Sequence, residues 1–176
     1  MTLAEYFETQ ESVLPHSLID GIVHVADAPF VPHQRVVLRL ATALLAHTDQ
    51  THVGEVFIAP IDVVLDPDAP LVLQPDIAFV SAARSRCIAD RIYGPPDMVV
   101  EVLSPFPRIG DLNDRLTRFA RHGVEEVWLY DQPSQQLHIL GCRDGVVASR
   151  RMFDPVTPIA SAVLPGFTPA MCQILP

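Results

Sequence analysis

The chain is expected to fold as an α/β (α+β) domain, a mixed central sheet flanked by helices. Three observations lead there. Strand-like runs bounded by turn residues recur along most of the 176 residues. Two amphipathic segments interrupt them at helical spacing. The order helix, strands, helix, strand is that of a sheet covered by helices. The length suffices for one well-cored domain and falls short of two ordinary ones, so residues 1–176 are expected to form a single domain.

The elements follow in order. Thr2 opens a short helix over residues 2–10, and SLIDGIVHVAD reads as a strand or hairpin turning at Asp20-Gly21. From Pro32 to about Ala46, PHQRVVLRLATALLA repeats apolar residues at Val36, Val37, Leu40, Leu44 and Leu45, the spacing of an amphipathic helix with Arg35 and Arg39 on its other face. VGEVFIAPIDVVLDP is β-rich and ends in the turn cluster DPDAP. LQPDIAFVS and PDMVVEVLS are strands separated by the polar segment AARSRCIADRIYGP. In the next stretch Asp111 caps a helix running to His122, and Gly123 sits where a glycine ends one. EEVWLYD and QQLHILGC are strands joined by the turn QPSQ, DGVVASRRMF adds a third to a meander, and PIASAVLPGFTPAMCQILP reads as an edge segment closed by prolines.

Composition narrows the class. Apolar residues make up 49% and charged residues 19%, the balance of a compact globular protein. No apolar run approaches the roughly 18 residues of a membrane span. The start, MTLAEYFETQES, has no basic segment of the kind that opens a signal peptide, which gives a cytoplasmic expectation and no membrane partner. Cys87, Cys142 and Cys172 form no C-x-x-C pair and are expected to pack rather than bind zinc or form disulfides. All 12 basic residues are arginines; the chain has no lysine. The net charge of −9 makes a poor general binder of nucleic acid, so any such contact is expected near the arginine-rich middle, residues 84–121.

One residue type is out of place. Glu101 lies inside PPDMVVEVLSP, otherwise a fully buried strand, and a buried unpaired carboxylate either costs several kcal/mol or takes up a proton. Period-2 alternation puts Asp97, Val99, Glu101 and Leu103 on one face. A Pro-Asp pair opens both strand candidates, Pro75-Asp76 and Pro96-Asp97. If these strands are neighbours, Asp76 and Glu101 approach each other at one end of the sheet and require a proton or a cation between them. Mg²⁺, hard and oxygen-seeking, fits, and the chemistry implied is phosphodiester hydrolysis. The alternative is that Glu101 forms a structural ion pair with an arginine such as Arg115.

The runs QPDIAFV, PPDMVVEVLSP and GDLNDRLTRFARHGVEEVWLYD, with LIDG, VPHQRVV, GEVFIAPIDVVL and LPGF in the same order, resemble the Uma-type putative restriction endonuclease family, a bacterial branch of the PD-(D/E)-x-K superfamily. The resemblance covers roughly residues 14–170. It implies a restriction-endonuclease-like core, a site for Mg²⁺ or Mn²⁺ on Asp76 and Glu101, DNA as substrate, and a homodimer. The superfamily's lysine, two residues after the second acid or moved onto the following helix, corresponds here to Leu103 or to Arg115, four residues after Asp111. The family often has a further acid near the N-terminal hairpin; the matching places here are Ser17 and Ile22. Arginine stabilises charge developing on a phosphate but, with a pKa above about 12, cannot act as a base.

Supporting candidates are Glu55, a possible further ligand or a solvated strand residue; His33, at a family position, which orients a site group or is structural; and Asp111. Arg115, Arg118 and His122 share one helical face, which reads either as a phosphate contact or as a solvated, salt-bridging face. Two functions are therefore carried forward: a metal-dependent endonuclease acting on DNA, and a catalytically degenerate nuclease-fold protein serving as a binding or scaffold module, which the missing lysine and missing acid favour.

Overall fold

The computed structural model describes residues 1–8, 16–103 and 112–175. Eleven strands and four α-helices are found among them. Helix α1 is Leu3–Phe7, capped by Thr2 through a reciprocal bond with Glu5; it is shorter than the expected 2–10, whose last two residues lie outside the described ones. Strands β1 (His16–Ile19) and β2 (Ile22–Val25) form the expected hairpin. Asp20 and Gly21 turn it with φ of 51° and 78°, the left-handed pair that a two-residue hairpin loop requires.

Helix α2, Val31–Thr51, runs past the expected end because nothing in His47–Thr51 breaks a helix and Thr48 still packs inward. It stops at His52, whose φ is 55° and whose N–H bonds Thr48 O at 2.8 Å. Then follow β3 (Gly54–Ile58), β4 (Val63–Asp66), β5 (Leu71–Leu73) and β6 (Ile77–Ser81). The segment expected to be merely polar holds a 3₁₀ turn, Ala82–Cys87, and a short strand, β7 (Ile92–Tyr93), whose Ile92 is buried. Strand β8 is Met98–Leu103, α3 is Leu112–Arg121, and Gly123 leaves α3 with φ of 96°. The expected cap, Asp111, lies outside the described residues. The meander is β9 (Glu126–Asp131), β10 (Gln136–Arg143) and β11 (Val146–Phe153), followed by α4, Met171–Ile174.

The strands make two mixed sheets. One has the order β11-β10-β9-β8-β6-β3; the other has β2-β1-β5-β4-β7. Strand β8 lies parallel to β9 and antiparallel to β6, with Val100 opposite both Ile77 and Trp128. Met98, Val100 and Val102 join the core under α2. Val99, on the other face, packs with Phe119 of α3 and with Val63 and Leu73 of the second sheet. A sheet covered on both faces needs apolar residues at every position, which explains the near-continuous apolar run in β8.

The C-terminal tail is not an edge strand. It makes one isolated bridge, Pro158 to Ala170, and otherwise lies over the α2 side of the larger sheet with Ile159, Leu164, Phe167 and Met171 buried. Its prolines cannot supply a ladder, while its spaced apolar residues still gain by burial. Among the described residues no helix is long and apolar enough to cross a membrane. All three cysteines are free; Cys87 and Cys142 are half-buried, and Cys172 is exposed.

Candidate functional site

Strands β6 and β8 are neighbours, and this brings the two predicted acids together. Their register pairs Ile77 with Val100, so Asp76 falls opposite Glu101 and Pro75 opposite Val102. Pro75 has no N–H and ends the ladder. The Asp76 carboxylate replaces it, accepting a bond from the Val102 N–H at 2.7 Å through Oδ2. The same oxygen lies 3.1 Å from Nε2 of His33, near the start of α2. His33 Nδ1 is buried without a hydrogen-bond partner among the described residues.

Glu101 is 3% exposed. Arg115, on α3, donates from Nε to its Oε1 at 2.7 Å and from Nη2 to the carbonyl oxygen of Gln74 at 2.7 Å. Burial pushes the Glu101 carboxyl up to about 7; the charge of Arg115 opposes this shift and the charge of Asp76 adds to it. Burial alone would lower the His33 pKa, but the hydrogen bond and charge of Asp76, together with the charge of Glu101, hold it above its usual value.

These side chains lie in a cleft of about 1100 Å³, walled by the β1–β2 hairpin with residues 26–29, by His33 and Gln34, and by Arg115 and Arg118. Arg118 bridges the cleft's two sides: Nε meets Asp114 at 2.7 Å and Nη2 meets Asp20 of the hairpin turn at 3.0 Å. His122 sits 3.7 Å from Asp66 and bonds the Arg118 carbonyl. On the face shared by Arg115, Arg118 and His122, both arginines are salt-bridged.

The remaining candidates are not gathered here. Glu55 is exposed on β3 opposite Val80, four positions along from Ala59, whose N–H bonds the Asp76 carbonyl. At about 3.3 Å per residue that is roughly 13 Å along the strand. Of the two hairpin positions singled out by the resemblance, Ser17 lines the cleft and Ile22 is exposed at the hairpin turn. Sequence reasoning missed Gln74. Its carbonyl holds Arg115, its Oε1 accepts from His16 N at 3.0 Å, and its Nε2 donates to Asp62 at 2.8 Å. The only signal was its position next to Pro75-Asp76.

Among the described residues no group of three or more His, Cys, Asp or Glu side chains is arranged to hold a metal. Mg²⁺ does not need one, since it keeps several waters and takes one or two carboxylates plus substrate phosphate. A buried glutamate facing a second carboxylate, with a pKa raised despite its arginine, is a donor set that a further cation would relieve. The pair therefore fits such an ion.

A search of curated proteins gave no match. A similar solved structure is that of a putative nuclease belonging to DUF820 from Anabaena variabilis; the TM-score is 0.83 at 16% identity, over 99% of this chain and 97% of that one. The fold is shared with that protein. The model of the Uma2 family, described as "Putative restriction endonuclease", matches residues 3–174. The chain belongs to that family, on a match that spans nearly its whole length.

Proposed function

We propose that the protein is a metal-dependent endonuclease that hydrolyses DNA phosphodiester bonds, with Asp76 and Glu101 binding Mg²⁺ or Mn²⁺ and Arg115 facing the scissile phosphate. The observation that carries this reading is the juxtaposition of Asp76 and Glu101 across β6 and β8, inside a cleft that also presents Arg115. A divalent cation bound there supplies Lewis-acid polarisation of a phosphoryl oxygen and acidifies water. The chain's own residues orient and neutralise. His33 fixes the rotamer of Asp76 through Nε2. Gln74 holds the guanidinium of Arg115 beside Glu101, leaving its remaining N–H donors for a phosphate whose charge grows in the transition state. Arg115 acts as a charge stabiliser and not as a base. Cytoplasmic action as a homodimer belongs to the same proposal.

The test is calorimetric titration of Mn²⁺ into the wild type and Glu101→Ala, followed by incubation of each with supercoiled plasmid and the cation. Metal binding and nicking by the wild type, both lost in the variant, are the expected result. A second reading is favoured by the 2.7 Å Glu101–Arg115 pair itself: a degenerate nuclease fold in which arginine has taken the place of the cation and the protein serves as a binding module. That reading expects no metal uptake by either protein.

A further inference from the structure

Two features away from the cleft share one surface. On the side of α2 turned from the sheet, Val31, Leu38 and Leu45 are 71%, 64% and 49% exposed. They recur every seventh residue, so they line up as one stripe along the helix. Single exposed apolar residues are ordinary, but three repeated about 10 Å apart along one helix face have the heptad spacing of a seam on which another helix packs. Charge is the second feature. Arg35 and Arg39 flank the stripe in its N-terminal half and Asp49 borders it in the C-terminal half; all three are exposed and make no ion pair among the described residues.

We propose that this face binds a second copy of the chain, with α2 lying antiparallel on the partner's α2 across a two-fold axis at Thr42. One register satisfies both features. Setting Leu38 against the partner's Leu45 also sets Arg35 against the partner's Asp49, to within one residue's rise of about 1.5 Å. The contact is then isologous, each apolar and charged pair occurring twice. Parallel pairing would put Arg35 against its own copy and leave Asp49 facing Asp49. The buried side of α2, with Val37, Leu40 and Leu44, stays in the core of its own chain. The 21-residue helix spans only about 32 Å, so the pair covers less than the roughly 800 Å² per partner of a standard interface and associates in a concentration-dependent way. The same register keeps the two copies of His33 about 27 Å apart along the helix axes, so each chain retains its own cleft.

This inference rests on the homodimer of the proposed function and names its interface; it fails or holds separately from the nuclease activity, since the mass of the assembly can be measured without metal or nucleic acid. Sedimentation equilibrium of the full chain over a wide concentration range would compare the wild type with Leu38→Glu, Arg35→Asp and the double variant Arg35→Asp/Asp49→Arg. Circular dichroism would establish that each is folded. The wild type is expected to follow a monomer–dimer equilibrium. Leu38→Glu should raise the dissociation constant at least about tenfold, Arg35→Asp about threefold or more, and the double variant should return to the wild-type value. A wild type monomeric at every concentration, or a dimer indifferent to Leu38→Glu, would overturn the proposal. A charge swap that fails to restore the dimer would overturn the antiparallel register.

Discussion

Two glutamates are buried on adjacent parallel strands, and their surroundings differ. Glu126 on β9 is 1% exposed and its oxygens are taken up by Trp128 Nε1 at 3.0 Å, Ala162 N at 3.0 Å, Arg151 Nη2 at 3.3 Å and the Ser161 hydroxyl. Three of those donors are uncharged or backbone groups, and two come from the C-terminal tail. Glu101 on β8 has one described donor, Arg115, and faces a second carboxylate, Asp76. A buried acid ringed by donors is a structural anchor. One that shares its place with another acid and a lone arginine is open to a proton or a metal ion.

The sharpest way to break this contrast is Glu126→Ala. It leaves the indole N–H, the Ser161 hydroxyl and the Ala162 N–H without their acceptor and frees the tail. The expected loss of stability is about 3–5 kcal/mol, read from urea denaturation, with affinity for Mn²⁺ unchanged. An equal loss of metal affinity would show that the two acids are not independent.

The pH dependence of Glu101 is the next largest effect. Burial pushes its carboxyl up to about 7 in the folded chain against a usual value of 4.5. Between these values the unfolded chain gives up the proton while the folded chain keeps it, so stability falls as pH rises through that window. The wild type should lose up to about 3 kcal/mol relative to Glu101→Gln between pH 4.5 and pH 8, with the difference already present just above pH 7. Saturating Mn²⁺ should remove most of this loss in the wild type, because the ion stabilises the ionised form. A difference between the two proteins that does not change with pH would refute the raised pKa.

The smallest effect tests the cleft's rim. Arg118 is paired with Asp114 and Asp20, two exposed acids, so Arg118→Ala should cost no more than about 1 kcal/mol, and less at high salt. Thermal melts at two ionic strengths would measure it. A larger and salt-independent loss would mean that the hairpin is held to α3 by more than this pair.

How much of this was legible follows the range of each interaction. The Asp20-Gly21 turn and the alternation along β8 are local patterns and appear as read; so does the inward face of α2 at Val36, Val37, Leu40 and Leu44, whereas Leu45, expected on that face, is 49% exposed because the helix rotates it away from the sheet. The end of α2 and the 3₁₀ turn are not legible in the sequence, because their local signals are weak and packing decides them. The meeting of Asp76 and Glu101 was readable only on the condition that β6 and β8 pair. Nothing local reveals that the tail caps a sheet face, that Gln74 holds Arg115, or that Arg118 reaches Asp20 across 98 residues of sequence.

By itself the sequence determined the alternation of elements, the anomaly of an acid inside an apolar strand, and a resemblance strong enough to indicate the family. It could do so because periodicity, turn chemistry and motif order are written within short windows. Tertiary structure alone decided which buried glutamate is an anchor and which faces a second acid in a cleft. A carboxylate's state depends on the dielectric around it and on the donors that reach it, and those arrive from strands, helix and tail far apart in the chain.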